Sequence, residues 1–302
     1  VRAGLHLSEY GVLDDATATT TVCAEETGVY ALLGLPYIEP ELRENRGELE
    51  AAVEGTLPTL VELTDIRGDL HCHTTASDGR ASIEEMALAA RERGYEYLAF
   101  TDHSATHGFG DDVSPDQLRR QIERVREADT RIEGITLLAG SEVNVLPDGT
   151  LDYDDDLLAE LDWVIASVHT AFAIDADAMT ERVLAAARHP HVDALGHLTG
   201  RLIERRAPYA LDVDAVFAAC AQAGTLIEIN ASPDRRDLSE VHARAAAAAG
   251  VTIVINSDAH SPQGLDVMRY GVWTARRAWL GAAEIANTLP LEGLRARLKR
   301  SR

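Results

Sequence analysis

Lysine is almost missing from this chain. Of its 28 basic residues only Lys299 is a lysine; the rest are arginines. Acidic residues are not scarce: 50 Asp and Glu leave a formal charge of −22. That balance fits a salt-rich cytoplasm, where screening lengths shrink to a few ångströms. It fits equally a GC-rich genome that replaces Lys by Arg. Either way it opposes non-specific binding of duplex nucleic acid at low salt, while leaving room for a local Arg cluster assisted by metal ions. Cysteine is also scarce. Cys23, Cys72 and Cys220 are scattered and form no CxxC pair, which excludes a disulfide framework and a thiolate zinc site and suits a reducing cytoplasm. No apolar run approaches the ~18 residues of a membrane span. The opening Val1-Arg2-Ala3-Gly4 lacks the basic-then-apolar pattern of a signal peptide and an initiator Met, so a piece of a longer protein is expected. A phosphate-binding GxxxxGK[ST] loop and a nucleophile elbow are both missing, which removes P-loop and Ser-His-Asp chemistry.

What remains is a chain of 302 residues, 46% apolar, large enough for one barrel-type domain with an appendage. Residues 1–66 carry three arginines (Arg2, Arg43, Arg46) against thirteen acidic residues. An extended piece over 5–12, a Thr-rich turn over 16–21 and short helical pieces, one over 25–33, make this segment too poor in core residues for a confident independent domain. From Arg67 onward strands and helices alternate. Short apolar runs predict seven strands over 68–73, 97–103, 136–142, 163–169, 193–197, 225–230 and 251–258. Between them, helical spacing covers 86–93, 115–132, 178–188, 213–222 and 238–249. Ser82 and Glu85 form a capping box before the first of these, and Gly94, Gly224 and Gly250 act as stops. Strand–helix alternation implies a parallel sheet, and seven units in this length favour a closed barrel.

The strand ends carry the chemistry. In order they present His71 and His73, His103, Glu142, His169, His197, Asn230, and Asp258 with His260, with Asp78 in the loop after the first strand. In a parallel barrel these ends converge on one face. His71-x-His73 places two imidazoles on the same side of a strand and turns Cys72 toward helix packing. Imidazole plus carboxylate without thiolate suits Zn²⁺, Mn²⁺ or Fe²⁺. His6, His107, His189, His191 and His242 end no strand and are read as surface or hydrogen-bonded residues.

The run Asp69-Leu-His71-Cys-His73-Thr-Thr-Ala-Ser77-Asp78-Gly79 resembles the first motif of the PHP (polymerase and histidinol phosphatase) domain. Thr101-Asp102-His103, Gly140-Ser-Glu142, Ser167-Val-His169, Gly196-His197 and Ser257-Asp258-Ala-His260 match its later motifs in order. The resemblance implies a distorted seven-stranded (βα)7 TIM-like barrel of the α/β class and three divalent metal ions, with manganese expected and zinc or iron as the other options. It implies His71, His73, Glu142 and Asp258 on the first ion. The second ion would share Glu142 and take His169 and His197; the third would take Asp78, His103 and His260. Upstream, Leu5-His-Leu-Ser8-Glu9-Tyr10-Gly11-Val12 and the stretch from Tyr30 through Pro36, Pro40 and Arg43 to Gly47 are similar to the end of the thumb of bacterial and archaeal family X DNA polymerases. Leu198 departs from that subgroup, which has Pro there.

These resemblances imply a small α+β thumb remnant over 1–66 and a PHP phosphoesterase over 67–302. The palm and fingers would lie upstream in the full-length chain, so no polymerase activity is expected here. The implied reaction is hydrolysis at DNA 3′ ends by metal-bound hydroxide at the Glu142-bridged pair. It would be a 3′–5′ exonuclease in repair, extending to 3′-phosphatase or abasic-site activity, in the cytoplasm. Arg201, Arg205, Arg206, Arg235 and Arg236 lie after the fifth and sixth strands, on the same rim, and a guanidinium is a bidentate phosphate clamp. Arg201, Arg205, Asn230 and Arg235 are the candidate substrate contacts, and Asp102 is a candidate for orienting a ligand imidazole. Tyr95, Tyr97 and Trp163 read as packing, and the basic tail 295–302 as a solvated helix end. A small-molecule phosphatase of the histidinol-phosphatase kind and a non-catalytic scaffold are the alternatives.

Overall fold

The computed structural model describes residues 4–106, 108 and 112–299, so His107 and residues 300–302 lie outside it. Two compact units divide between Thr59 and Leu60. Residues 60–66, placed with the thumb-like segment by sequence, belong to the second unit: Val61 donates its amide to Leu280, and Ile66 is buried in the main core.

The first unit holds a three-stranded antiparallel sheet of β1 (Leu5–Ser8), β2 (Gly11–Asp14) and β3 (Thr19–Thr21). The expected single extended piece is thus a hairpin. The Thr-rich stretch is partly a strand, because its β-branched residues pair with β2. Helices α1 (Glu26–Leu32) and α2 (Glu48–Glu54) follow; Arg43 ties α1 to its loop through Glu26 at 2.7 Å.

The second unit is a seven-stranded parallel sheet in strict chain order. Its strands are β4 (Gly68–Cys72), β5 (Tyr97–Phe100), β6 (Thr136–Asn144), β7 (Trp163–Ser167), β8 (Ala194–Leu195), β9 (Leu226–Asn230) and β10 (Ile253–Asn256). Every predicted strand is present, most shortened at the polar end. There the chain leaves the ladder to present side chains, and His103 keeps only an isolated bridge to Glu142. Sequential parallel strands need crossovers, and α3 (Ile83–Glu92), α4 (Pro115–Arg131), α5 (Asp155–Leu158), α6 (Ala176–Arg188), α7 (Val213–Ala223) and α8 (Glu240–Ala248) provide them, with α9 (Met268–Arg277) and α10 (Leu291–Arg295) following the last strand. The Ser82–Glu85 capping box forms at α3 as the sequence predicts, and Gly224 takes φ +75° after α7. The helix expected from Leu238 starts at Glu240. Leu238 is fully buried and donates its amide to Glu228, and Ser239 takes over as the cap.

The sheet curls until β10 meets β4. Cys72 and Ala259 form a parallel bridge, and the His73 amide donates to Ala259 at 2.8 Å. Lower in the seam two side-chain amides replace the ladder. Asn256 accepts from Leu70, and Asn287 donates to both Gly68 and Ile255. Buried backbone groups at the seam are thereby satisfied. Outside the barrel, one continuous core fills the space under the helices and includes Cys72, whose thiol donates to Ala99, as its alternation predicts.

Candidate metal centre

The nine candidate ligands, eight from the strand ends and Asp78 from the loop after β4, meet at one mouth of the barrel. Glu142 is at the middle and is 1% exposed. Its Oε2 lies 2.9 Å from His103 Nδ1, 3.3 Å from His71 Nε2 and 3.7 Å from His73 Nε2. Its Oε1 lies 2.7 Å from His197 Nε2 and 3.1 Å from His169 Nε2. Asp258 Oδ1 is 3.1 Å from His73 Nε2 and 3.5 Å from His71 Nε2. Asp78 Oδ2 is 3.2 Å from His260 Nε2 and 3.6 Å from His103 Nε2. Three groups have ligand atoms mutually within 4.8 Å: His73, Asp78, His103 and His260; His71, His73 and Asp258; and His103, Glu142 and His169. His103 therefore faces both Asp78 and Glu142, whereas the family pattern sets it with the third ion only.

The donor set fits divalent cations. His71 Nε2 and both carboxylate oxygens of Glu142 are buried without a hydrogen-bond partner. Orphaned buried polar atoms are costly, and here they converge where an ion would satisfy them together. Two of the nine residues also hold positive φ, Asp258 at +56° and His197 at +25°. Such backbone strain in non-glycine residues is concentrated at functional sites.

The charges are strongly coupled. Burial alone would push the Glu142 carboxyl up, but His169, His71, His103 and His197 around it hold it well below the carboxylate range. Burial lowers His103, yet Glu142 and Asp78 outweigh it and raise the ring to about 10. His71 is likewise raised, by Glu228, Glu142 and Asp258 against its burial. His73, buried and facing His103 and His260, falls to about 3. His169 falls to about 4, chiefly from burial.

Behind the cluster stands a residue the sequence reading missed. Glu228, midway along β9 and fully buried, approaches His71 Nδ1 at 2.7 Å and accepts the His197 amide at 2.7 Å. A ring proton held on Nδ1 by this carboxylate leaves Nε2 facing the cluster, the usual outer support of a metal-ligating histidine. Asn256 and Asn230 donate to the same carboxylate, and Asn230 also donates to Asp258 at 3.0 Å. The signal was a charged residue inside an otherwise apolar strand, two residues before Asn230 and hence on the same face. Asp69, pushed up to about 6 by burial, accepts the Ser257 and His71 amides.

The other candidates separate by position. Asp102 accepts from Thr74, Ser77 and Gln121, so it fastens the loop that carries Asp78 to α4. Arg235 reaches the centre: its Nε is 3.6 Å from Asp258, and its Nη1 is buried with no hydrogen-bond partner. Asn230 spends its donors on Glu228 and Asp258, next to the cluster. Arg201 instead donates to the carbonyls of Arg235 and Arg236, holding their loop. Arg206 donates to Gly200, and its guanidinium lies over Phe172. Arg205 pairs with Asp234 on the surface. His6 pairs with Asp15 within the first unit, and His189 pairs with Asp155. Tyr95, Tyr97 and Trp163 are buried, as packing residues should be.

With this geometry in hand, the comparisons with known proteins are specific. The PHP domain model matches residues 69–232, and the DNA polymerase beta thumb model matches residues 1–44. The chain belongs to the PHP domain family. It is 42% identical over 298 residues to the DNA polymerase/3′-5′ exonuclease PolX of Bacillus subtilis, covering 99% of this chain and 52% of that protein. It thus spans about half the length of that relative. It is also 32% identical over 203 residues to a "Probable phosphatase" of a Thermoanaerobacter species, covering 64% of this chain and 78% of that protein. Among solved structures, hisK from Listeria monocytogenes superposes with a TM-score of 0.53 at 14% identity, over 66% of this chain and 97% of that one, which shows the shared barrel fold.

Proposed function

We propose that this chain is a metal-dependent phosphodiesterase acting on DNA 3′ ends, the nuclease portion of a family X polymerase whose palm and fingers lie upstream. The observation that carries the reading is the convergence of His71, His73, Asp78, His103, Glu142, His169, His197, Asp258 and His260 on one barrel mouth, in a chain whose first 44 residues match a polymerase thumb. Those nine residues would hold three divalent ions, manganese being expected. Such ions supply Lewis-acid charge to phosphoryl oxygens and acidify water at neutral pH. Glu142 would serve ions on both of its sides, since one oxygen faces His71, His73 and His103 and the other His169 and His197. Arg235 offers its unpartnered Nη1 to the substrate phosphate, and Asn230 holds Asp258 in place. Arg201 acts through the loop it anchors, and Arg205 at the rim.

The 32% identity to a "Probable phosphatase" favours a second reading, a small-molecule phosphatase. The thumb match weighs against it, since a free phosphatase has no use for a thumb. The scaffold reading expects lost ligands, and all nine positions are filled. Mn²⁺-dependent digestion of a 5′-labelled single-stranded oligonucleotide, in low and in molar KCl, separates the three. A ladder shortening from the 3′ end, abolished by Asp258→Ala, is the expected result. Phosphate release from a 3′-phosphorylated end without a ladder would favour the phosphatase; neither activity with metal bound would favour the scaffold.

A further inference from the structure

The outer face of α9 is unusual for a barrel helix. Arg269, Trp273 and Arg277 recur at i, i+4 and i+8, so they share one stripe. Trp273 is 47% exposed, whereas Trp163 is fully buried and the Arg244 guanidinium covers Trp279 at 4.1 Å. Tyr270 meets Trp273 edge-on with centroids 5.3 Å apart, and the Arg269 guanidinium lies 5.1 Å from the Tyr270 ring centre. An exposed tryptophan against a half-buried tyrosine, bracketed by arginines, is out of keeping with a chain of charge −22. Two acidic groups attend the stripe: Glu240, 3.5 Å from Arg277, and Asp266, 2.7 Å from Arg93.

The stripe continues at both ends. Toward the metal centre, Arg236 donates from Nε to Thr274 at 3.3 Å, so it lies against α9 and within the field of Arg277. Its chain neighbour Arg235 turns the other way, to Asp258 at 3.6 Å. Successive arginines thus face the metal cluster and the helix. Away from the centre, Arg269 and Arg93 rim a cavity of about 510 Å³ floored by Ile66, Tyr95, Leu265 and Met268.

We infer that α9 is a single-strand platform: the strand whose 3′ end enters the metal cluster crosses Arg235 and Arg236 and stacks bases on Trp273 and Tyr270. Single-stranded nucleic acid is the occupant because it alone needs both features of the stripe, faces for bases and cations for phosphates. Duplex would hide its bases from the aromatic rings. The inference rests on the DNA-directed reading above and assigns it a binding surface.

The test uses the 302-residue chain with Mn²⁺ and a 5′-labelled, hydrolysis-resistant phosphorothioate oligonucleotide of about 16 nucleotides, a length near the upper site size of such grooves. Anisotropy should show Trp273→Ala binding at least about fivefold more weakly, the lower end of the loss of one stacked base, with Trp273→Phe restoring most of it. The ratio should fall toward one as the oligonucleotide is shortened until it occupies the cluster alone. Equal affinities at the longer length, or no wild-type binding, would overturn the platform; the first result would instead mark the patch as a protein contact. Hydrolysis is scored separately. A wild-type chain that binds through Trp273 but never shortens the unmodified oligonucleotide defeats the nuclease reading alone. One that shortens it with affinity indifferent to Trp273 defeats the platform alone.

Discussion

At the carboxyl ends of its strands the barrel buries charge; at the amino ends the same strands bury hydrocarbon. The lower interior is filled by Leu70, Tyr97, Leu138, Trp163, Ile165, Leu226 and Val254, and sealed by Leu294 and Leu298 from the chain terminus. The upper interior holds six imidazoles and three carboxylates. Following one face of each strand upward shows the change residue by residue. Leu226 gives way to Glu228 and Asn230, Val254 to Asn256 and Asp258, and Trp163 and Ile165 to Ser167 and His169. The lower half supplies burial free energy without function. The upper half is a set of like and unlike charges that water would otherwise solvate, tolerable because a rigid floor and an outer ring of carboxylates and amides hold it. Binding chemistry and stability are separated along the barrel axis.

The sharpest way to break that division is to hollow the floor. Trp163→Ala removes the largest fully buried side chain of the lower interior. It should cost about 3–5 kcal/mol of stability, typical of a core aromatic lost to a cavity, read as a lower denaturant midpoint. Metal content and phosphoesterase rate per folded molecule should change little. A large fall in metal content at full stability would show that the two halves are not separable.

Much of the upper half was legible in the sequence because each strand ends in a residue that chemistry cannot ignore. His71, His103, Glu142, His169, His197 and Asp258 stand where six of the seven short apolar runs stop, and Asn230 ends the other. The structure brings them together because parallel strands share one direction. Glu228 was not legible in the same way. It lies inside its strand, and only the period-2 row through Asn230 places it facing inward. Arg201 and Arg205 show the opposite limit. Arg201 donates to backbone carbonyls and Arg205 pairs with Asp234; whether a guanidinium meets substrate or a backbone carbonyl depends on loop geometry that spacing does not encode. The start of α8 moved from Leu238 to Glu240 for a tertiary reason: Leu238 is drawn into the core and its amide to Glu228. The thumb-like boundary at 66 rested on the motif; the structure draws residues 60–66 into the barrel unit because Val61 and Ile66 have core to join.

A second prediction tests whether the carboxylate behind the cluster belongs functionally to the upper half. Glu228→Gln keeps the volume but replaces an acceptor with an amide nitrogen. The one oxygen left can accept from His71 Nδ1 or from the His197 amide, which Glu228 now meets at 2.7 Å each, but not from both. Metal affinity or activity should fall about 10–100-fold, as for other residues that orient a ligand histidine. Because Glu228 touches candidate ligands on both sides of Glu142, His71 and His197, more than one equivalent of metal should be weakened, which metal analysis after dialysis would show. Loss of a single equivalent would mean that only His71 depends on it.

The smallest expected effect per step, and the most diagnostic of buried charge, is proton release on metal binding. Without metal, Glu142 and Asp78 hold His103 protonated up to about 10, against an unfolded value near 6.5, and His71 and His260 are raised as well. The folded metal-free chain therefore carries more protons than its unfolded form between pH 6.5 and 10. By linkage its stability falls as pH rises through that window. A divalent ion requires neutral imidazole nitrogens, so each raised histidine that ligates must give up its proton. Apparent metal affinity should then rise about tenfold per pH unit for every proton displaced, while His73 and His169, lowered to about 3 and about 4, contribute none. Calorimetric titration in buffers of differing ionisation enthalpy counts these protons directly. Two or three released at pH 7.5 would match the histidines that the mouth's carboxylates hold protonated. None would mean that the imidazoles are already neutral and that the carboxylates, not the ions, are what the mouth leaves unpaired.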